Sequence, residues 1–474
     1  RGKLLSFLQE KYGAQVENLR AATIREWLEQ DDLEPGLRLL LETRLEAAKS
    51  SGAKYKRGIR MCGAGSRMRY TLQFCGAGRT GRSSGKGFQP HNMARPTMKA
   101  RYIDDIVIPG IKSGEALDWP ELYGGPNTAC ANALRHSIVA APGNDLIVAD
   151  YSNIESRVLA WLAGEGWKLD AYRSGQDLYK ILYARFFGGS VETVTDHQRQ
   201  SAKVVELSMG FGGGVGAFVT MAAGYQIDLS TLPAMVIPTA DAAKLTKADT
   251  AWRRAIAEGN DYGLAPDVFV ACDVLKQAYR ESNSEINRLR YDIDSAVRRA
   301  VAEPGVSTVV GRCTIWCANS ALLIQLPNGD RLVYYAPKLH TTVYTDPLTG
   351  KKSERQHLSY ATARGKSWLR EKAWAGLFLE NIVQAVANRL LRDGIRAAHR
   401  NTLAVPAIAA FLETLPPSER TAICLHVHDE LALDVPKGSY TLEALISDMT
   451  TNSPWAAGLP IAAEGWCNPR YGKR

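Results

Sequence analysis

The sequence predicts an α+β fold, because helical and strand-like patterns occupy different parts of the chain. Residues 1–50 and 226–310 are mostly helical in pattern, whereas residues 305–345 and 422–435 have strand character. Between these parts a short apolar run ends abruptly at Asp150, before a helical pattern begins. Such a run is typical of a buried strand that brings a carboxylate to its end.

In chain order, the first 50 residues predict three helices, and Thr23 and Glu26 form a capping box at the second. Tyr102–Ile111 predicts a strand and its connection, and residues 112–145 are rich in turns. Beyond the central strand, Ala171–Phe187 predicts a helix that Gly188 and Gly189 end.

A second capping box, Thr195 with Gln198, predicts a helix that begins near Asp196. The glycines at 212, 213, 214 and 216 end it. The sequence PNGD supplies a hairpin turn inside the strand-rich part. Lys366–Leu391 predicts a long helix in which the polar Gln384 falls among aliphatic residues.

The composition is that of a soluble globular protein with roughly three domains or subdomains, since 45% of the 474 residues are hydrophobic and 23% are charged. We expect no membrane span and no secretory signal. The eight cysteines are scattered, and the pair Cys313 and Cys317 has no matching second pair, so reduced thiols are expected rather than a zinc site.

The net charge of +9 is concentrated in one basic region, residues 51–101. It contains twelve Lys or Arg residues and no Asp or Glu, which leaves −3 for the rest of the chain. The region predicts contact with a polyanion such as DNA. Its glycine-rich part lets Arg79, Arg82 and Lys86 approach phosphates, although it is not a Walker loop. The alternative is a solvated surface, which ordinarily mixes both signs.

Asp150 lies where the central strand gives way to a helix, and Glu155 projects from that helix early. A carboxylate at such a position is costly without a partner, and a metal ion is an obvious one. The alternative is that Asp150 only caps the helix.

Arg199 and Lys203 lie one helical turn apart with no acid between them. Two such cations repel each other unless an anion lies across them, and a triphosphate suits the spacing. The alternative is a solvated basic helix face with a glycine C-cap.

His428, Asp429 and Glu430 lie at the tip of a predicted hairpin. The alternative is an ordinary acidic surface turn. If this hairpin neighbours the central strand, the carboxylates of Asp150 and Asp429 converge and can bind two Mg²⁺ ions about 4 Å apart, with Mn²⁺ as a second possible ion. Phosphoryl transfer needs this positioning and charge compensation more than it needs a protein nucleophile.

Three motifs, in this order, resemble those of family A DNA polymerases. DYSNIESR at 150–157 is similar to motif A, R-x3-K-x7-F-G at 199–212 to motif B, and HDE at 428–430 to motif C. TGR at 80–82 and ENIVQAVA at 380–387 resemble further family segments. The overlap begins near residue 40. The SNIE and ENIVQA segments are most similar to the bacteriophage branch of the family.

The resemblance implies a right-hand polymerase fold with an antiparallel-sheet palm, helical fingers and a partial helical thumb. We expect a thumb remnant in residues 1–60, the palm in 61–165 and 305–474, and the fingers in 166–304. The implied reaction adds dNTPs to the 3′ end of a primer on a DNA template and releases pyrophosphate.

The resemblance also implies the site. Asp150, Asp429 and the Tyr151 carbonyl would hold the two metal ions, with Glu430 in support. Arg199 and Lys203 would bind the incoming triphosphate, and Lys203 would protonate the pyrophosphate. Glu155 would exclude the sugar 2′-hydroxyl, and Phe211 would pack beside the nascent base pair. The implied DNA contacts are Arg82, Asn92, Gln384 and His428.

Four positions depart from the family pattern. Phe211 stands where Tyr is common, Leu207 where an aromatic residue is usual, and Glu206 where Asn is frequent. Ser156 replaces a larger residue. These departures bear on nucleotide selectivity, whereas the predicted metal ligands and cation pair are intact.

The chain begins with Arg1 rather than Met, so we expect a fragment or a trimmed product. The residues before Asp150 are too few for a proofreading exonuclease as well as a thumb, so such a domain is expected to be absent or on another chain. We expect a monomer in the cytoplasm of a phage-infected bacterium. Two rival functions are an RNA-templated or RNA-synthesising polymerase and a non-catalytic DNA-binding relic.

Overall fold

The computed structural model describes residues 2–48, 51–114, 125–365 and 367–472. Helices and antiparallel strands occupy separate parts of the chain, which confirms the predicted α+β class. No helix in these four ranges is both long enough and apolar enough to cross a membrane.

The part of the chain before the central strand is mainly helical. Its helices are α1 (Gly2–Tyr12), α2 (Ala21–Leu28), α3 (Pro35–Ala48), α4 (Ser51–Met61), α5 (Ala100–Tyr102), α6 (Ile108–Ser113) and α7 (Pro126–His136). Two short strands, β1 (Leu72–Gln73) and β2 (Ser84–Gly85), pair with each other inside the basic region. Helices α1 to α3 enclose a small core of their own, built around Leu8, Ile24 and Leu41.

A four-stranded antiparallel sheet lies at the centre of the fold. Its order is β10 (Ile423–Val427), β11 (Glu430–Pro436), β3 (Asn144–Tyr151) and β12 (Ala463–Asn468). Strand β3 pairs with β11 on one side and β12 on the other, and its residues 146–149 are buried. A strand enclosed in this way tolerates a continuous apolar run, which is the pattern that predicted it.

A helical region follows β3. It comprises α8 (Ile154–Ala163), α9 (Gly166–Arg173), α10 (Leu178–Phe187), α11 (Asp196–Met209), α12 (Val215–Gly224), α13 (Leu232–Val236), α14 (Ala242–Ala257), α15 (Pro266–Ser282) and α16 (Ser284–Ala302). The capping box of Thr195 and Gln198 is confirmed at the start of α11. Most of these helices share one core, with Phe218, Val204 and Leu275 at its centre.

A second, six-stranded antiparallel sheet follows in simple sequential order. Its strands are β4 (Thr308–Val310), β5 (Cys313–Ala318), β6 (Ala321–Gln325), β7 (Arg331–Thr345), β8 (Lys352–Arg364) and β9 (Ser367–Ala373). The predicted PNGD turn joins β6 to β7. Three helices complete the chain: α17 (Ala375–Leu403), α18 (Pro406–Glu413) and α19 (Leu442–Thr450). The largest core joins both sheets through the apolar face of α17.

Two predictions before β3 are wrong. Tyr102–Ile111 is helical rather than a strand, and a π-helical segment, Ile103–Val107, joins α5 to α6. Ile103 and Val107 are both buried against α7, and their spacing of four residues suits a helix face better than a strand. Residues 112–145 contain helix α7 in addition to turns, with Pro126 in its first turn. Residues 115–124 of that prediction lie outside the described residues.

Three other boundaries differ from the prediction. Thr23 does not cap α2, because that helix begins earlier, at Ala21. The Thr23 hydroxyl instead donates to the Asn18 side chain at 3.0 Å. Ala171–Phe187 is two helices, because α9 ends before the left-handed Gly175 and Asp177 caps α10. The helix predicted at Lys366–Leu391 begins at Ala375, and Ser367–Ala373 is strand β9 instead, because β8 supplies its backbone partners. Lys366 itself lies outside the described residues.

Candidate active site

The acidic hairpin tip results from a two-residue turn. Strands β10 and β11 pair with Val427 opposite Glu430, so only His428 and Asp429 form the loop. His428 has a φ of 56°, the left-handed conformation that tight hairpin loops require. The turn therefore holds Asp429 at the end of the sheet, beside β3.

Asp150 and Asp429 lie together, as the sequence predicted. The strand register places Asp150 opposite Glu430. The backbone amide of Tyr151 donates a hydrogen bond of 3.2 Å to the Asp429 carbonyl. The side-chain carboxyl groups of Asp150 and Asp429 are within hydrogen-bonding reach of each other. Two acids that are 279 positions apart in the chain thus share one site.

Burial outweighs the nearby positive charge of Arg82 at this carboxyl cluster. Burial, and then the negative charges of Asp429 and Glu430, raise the pKa of Asp150 to about 8. Burial also raises the pKa of Asp429. Two carboxylates that destabilise each other's charge create a favourable position for a cation.

The donor atoms at the cluster suit a hard cation. Asp150 and Asp429 offer carboxylate oxygens, whereas the Tyr151 hydroxyl is occupied, because it donates to the Met449 and Leu390 carbonyls at 2.6 and 3.2 Å. Tyr151 could therefore contribute only its backbone carbonyl. The described residues hold no group of three or more His, Cys, Asp or Glu side chains placed to bind a metal. Two carboxylates with open positions still match Mg²⁺, which keeps waters and binds substrate phosphates.

Glu430 is tied to a residue that the sequence did not suggest. Its carboxylate accepts a hydrogen bond from the hydroxyl of Tyr471, which is only 1% exposed. Burial, followed by the Glu430 charge, raises the pKa of Tyr471, so the hydroxyl stays a donor. No motif marks Tyr471, because only the return of the chain to the sheet brings it here.

Glu155 and Arg82 form an ion pair across the site. The sequence assigned the first to the nucleotide sugar and the second to DNA, and the structure brings them into direct contact. Both carry charge that acts on Asp429, which places them next to the carboxyl cluster. Glu380 on α17 is a further acid here that the sequence missed; burial, followed by the Glu155 charge, raises its pKa.

Arg199 has an acidic partner, contrary to the expectation that only a bound anion would offset the cation pair. Its Nε donates to the Asp177 carboxylate at 2.5 Å. Asp177 also caps α10 by accepting from the amides of Tyr179 and Lys180. The acid that neutralises Arg199 comes from another helix, so spacing within α11 could not reveal it.

Lys203 lies one turn further along α11 and is half-buried. Burial, followed by the positive charges of Arg199 and Arg95, lowers the pKa of its ammonium group. Arg95 belongs to the basic region, residues 51–101. The basic region and α11 therefore bring positive charge to the same place, although they are far apart in sequence.

The departure at Glu206 has a clear structural partner. Its carboxylate accepts from the ammonium group of Lys168, with both N–O distances 2.7 Å, and from the Ser156 hydroxyl at 2.6 Å. The side chains of Lys168 and Glu206 are 0% and 2% exposed. Ser156, the small residue at another of the four departures, leaves room for this contact, which joins α11 to α8 and α9.

The structure shows the following contacts for the remaining predicted residues. His428 packs edge-on against His91 with ring centroids 5.0 Å apart, and Asn92 follows His91 in the chain. Gln384 donates to Glu380 at 3.0 Å. Phe211 packs against the largest core, and its neighbour in the motif, Leu207, is exposed.

Comparisons with known proteins relate this chain to DNA polymerases. Residues 120–223 match the family model described as DNA polymerase family A. A DNA polymerase from Bacillus phage SP02 is 31% identical over 99% of this chain. A DNA polymerase I from Pseudomonas aeruginosa is 39% identical over 85 residues, which are 18% of this chain and 9% of that protein.

The fold also has a solved counterpart, the POL domain of Pol1 from M. smegmatis in complex with DNA primer-template and dNTP. The TM-score is 0.55 at 13% sequence identity, over 98% of this chain and 60% of that one. The chain spans 62% of the length of the phage relative. The chain thus resembles DNA polymerase family A in its motif-bearing segment, resembles the phage DNA polymerase along nearly its whole length, and shares the fold of a polymerase domain.

Proposed function

We propose that this chain is a template-directed DNA polymerase that adds dNTPs to the 3′ end of a primer and releases pyrophosphate. The observation that carries the proposal is the convergence of Asp150 and Asp429 at one end of the central sheet. The phage relative is named a DNA polymerase, and the solved counterpart is a complex with DNA primer-template and dNTP. By analogy with the phage protein, we infer that the chain acts in the cytoplasm of a bacterial host.

We infer that Asp150, Asp429 and the Tyr151 carbonyl hold two Mg²⁺ ions, or Mn²⁺ in their place. When bound, such ions lower the pKa of the attacking hydroxyl and stabilise the leaving pyrophosphate. The mutual destabilisation of the two carboxylates supports this assignment, because a bound cation removes it. Glu430 supports the site from its position opposite Asp150.

Arg199 and Lys203 bind the triphosphate of the incoming nucleotide in this proposal. Arg199 exchanges its partner, Asp177, for phosphate oxygens, which accept charge-assisted hydrogen bonds in the same way. Lys203 donates a proton to the departing pyrophosphate. Its lowered pKa supports that role, because a less basic ammonium group gives up its proton more readily.

Glu155 and Phe211 determine which nucleotide fits, and the basic region holds the DNA. Glu155 stands where it would meet a 2′-hydroxyl, held by its ion pair with Arg82. Phe211 packs beside the nascent base pair. The DNA contacts are then Arg82, Asn92, Gln384 and His428. The charge of Arg82 acts on Asp429, and His428 precedes Asp429 in the hairpin loop. Asn92 follows His91, which contacts His428, and Gln384 donates to Glu380.

Primer extension with the variants Asp150→Asn and Asp429→Asn tests the proposal. Each change keeps side-chain volume and removes one carboxylate, so extension should fall by about a thousandfold or more, since several kcal/mol of transition-state stabilisation are lost. Binding of primer–template should change little. Asp145→Asn, on the same strand but at its other end, is the matched control. Extension at a near-normal rate by either variant would overturn the metal assignment.

The same assay separates the rival functions. Wild-type protein is given dNTPs or rNTPs on DNA and on RNA templates. We expect extension with dNTPs on DNA and little with rNTPs, because Glu155 occupies the space of a 2′-hydroxyl. Efficient rNTP incorporation would instead favour an RNA-synthesising enzyme, and DNA binding without any extension would favour a non-catalytic relic.

A further inference from the structure

The six-stranded sheet has one face that the site described above does not use. Its inner face packs into the largest core through Tyr334, Tyr360 and Leu358. On its other face, strand register brings together residues from β7, β8 and β9. We call the part of that face formed by β7 to β9 the outer sheet face. Its members are Tyr335, Lys338, His340, His357, Ser359, Ala361, Ala363, Trp368, Arg370 and Lys372.

The outer sheet face combines exposed aromatic rings with cations. Tyr335 and Trp368 are 52% and 62% exposed, and their rings meet edge to face with centroids 5.7 Å apart. Arg370 and Lys372 follow Trp368 at every second position of β9, so all three lie on this face, and both cations are also exposed. Adjacent exposed aromatic rings form an apolar surface of the kind at which proteins bind other molecules.

Charge on this face has one sign. Residues 331–373 contain nine Lys or Arg and three Asp or Glu, a net charge of +6. Of the acids within the strands, Glu371 and Glu354 pair in register with Tyr360 and Val343, on the opposite face. The outer sheet face as described therefore includes no Asp or Glu. This second basic region is less one-sided than residues 51–101, which contain no acid, and the sequence pattern did not draw attention to it.

The outer sheet face leads to the candidate active site. Strand β9 ends at Ala373, and the next residue, Trp374, is 60% exposed. A side chain at Gly376 would collide with the carbonyl oxygen of Phe211, and the indole nitrogen of Trp374 lies 3.2 Å from that same position. The seven residues of β9 span roughly 20 Å at about 3.3 Å per residue. Aromatic and cationic side chains thus extend from Phe211 along the sheet.

We propose that the outer sheet face binds the unpaired template strand ahead of the primer end and guides it to Trp374 and Phe211. Single-stranded DNA is bound by aromatic platforms for its bases and by cations that follow its backbone, which is the chemistry of this face. A protein partner fits less well, because protein interfaces are depleted in Lys. A duplex also fits less well, because its stacked bases are not free to pack on Tyr335 and Trp368. The inference rests on the proposed polymerase function for the identity of the strand.

The test measures binding and extension on primer–templates that differ only in the unpaired 5′ template, with overhangs of about one, four and eight nucleotides, within the span of known single-strand sites. For wild-type protein, we expect affinity to rise with overhang length. Trp368→Ala should weaken binding of the longest overhang about tenfold, a typical loss for one stacked base. Trp368→Phe should restore most of it.

Lys372→Gln gives a second, independent measurement. Removal of one phosphate contact should reduce the slope of log Kd against log salt concentration by about 0.7 on the long overhang. The slope on the shortest overhang should not change. Leu369→Ala is the matched control, because Leu369 is exposed on the same strand but on the opposite face.

The outcomes separate this inference from the polymerase function. Binding that is independent of overhang length, or equal losses in Trp368→Ala and Leu369→Ala, would overturn the role of the outer sheet face while extension by wild-type protein stands. A further arm adds a displaced non-template strand to the primer–template. If affinity depends more on the length of that strand than on the length of the template overhang, the role of the outer sheet face is also overturned. Absence of extension by wild-type protein would overturn the polymerase function, while the binding series still tests the face.

Discussion

At the residue scale, the most unusual feature is the buried ion pair of Lys168 and Glu206. Both side chains are removed from water, and the two N–O distances of 2.7 Å are supported by Ser156 and Tyr279. Desolvation of two charges offsets much of their attraction, so the pair specifies how α11 sits against α8 and α9 more than it stabilises the fold. That position determines where Arg199 and Lys203 point.

We therefore expect Glu206→Ala to reduce the free energy of unfolding by about 3–5 kcal/mol, because Lys168 is left charged and buried. The double variant Lys168→Met with Glu206→Leu should lose much less than the sum of the losses in Lys168→Met alone and Glu206→Leu alone, because neither charge remains. Urea unfolding of the single and double variants measures this. Additive losses would show that the two charges are not coupled.

Asp177 gives a second residue-scale prediction, because it both caps α10 and neutralises Arg199. Asp177→Asn keeps a capping side chain but removes the carboxylate that competes with a nucleotide for Arg199. The KM for dNTP should fall about two- to fivefold, the worth of one modest hydrogen bond, while kcat changes little. Arg199→Ala should have the opposite effect and raise KM. An unchanged KM in both variants would contradict the triphosphate role of Arg199.

The Asp177–Arg199 pair also predicts a pH dependence of stability. Partial burial raises the pKa of Asp177, but hydrogen bonds from Arg199 and two backbone amides lower it overall. A carboxyl with a lower pKa in the folded state stabilises the protein above its unfolded pKa of about 3.9, and loses this contribution as pH falls further. The difference in unfolding free energy between wild type and Asp177→Asn should shrink below about pH 4. Because both groups are about one-third exposed, the difference at neutral pH should stay within about 1 kcal/mol.

At the scale of elements, the hairpin of β10 and β11 sets the geometry of the carboxyl cluster. Its loop has two residues, and the first of them, His428, has a positive φ. The conformation of one backbone position thus determines where Asp429 lies relative to Asp150. In the structure, the histidine ring packs against the ring of His91, and its Nε2 lies 3.3 Å from the His91 carbonyl oxygen.

His428→Val should therefore reduce the free energy of unfolding by about 1–2 kcal/mol or more, because a β-branched residue is strained at positive φ. Extension should fall as well, because the strain is relieved by displacement of Asp429. His428→Asn, which tolerates this backbone conformation, should retain stability and most activity. Thermal unfolding and primer extension on the two variants check this. Equal losses in both would indicate that the ring, rather than the backbone, matters.

At the scale of the whole molecule, the fold brings two basic regions and one acidic cluster together. The first basic region reaches the site through Arg82 and Arg95, which act on Asp429 and Lys203. The second is the outer sheet face, connected to the site through Trp374. Positive charge on both sides of an acidic centre fits the proposed polymerase function, because cationic surfaces attract a polyanion such as DNA.

Removal of a positive charge from the first basic region should weaken DNA binding equally for all DNA sequences. Lys86→Gln should reduce the slope of log Kd against log salt concentration by about 0.9 on duplex primer–template. Arg298→Gln, a basic residue of α16 that already pairs with Asp294, should not change the slope. Fluorescence anisotropy across a salt series measures both. A slope unaffected by Lys86→Gln would contradict phosphate contact there.

The sequence by itself determined the α+β class, the central strand, the capped helix α11 and the acidic hairpin. Each of these depends on local rules: an apolar run, a capping box, or a turn between two short strands. It also selected Asp150, Asp429, Arg199 and Lys203, because their residue types and spacing carry chemistry. The resemblance to family A polymerases depends on the same short motifs.

Only the tertiary structure decided which groups meet. The partner of Arg199, the hydrogen bond from Tyr471 to Glu430, the Lys168–Glu206 pair and the assignment of Ser367–Ala373 to a strand all depend on residues far away in the chain. Local periodicity reports the preference of one segment for a shape. It carries no information about which distant side chain will neutralise a charge or pair with a backbone, because that free energy exists only after the chain has folded.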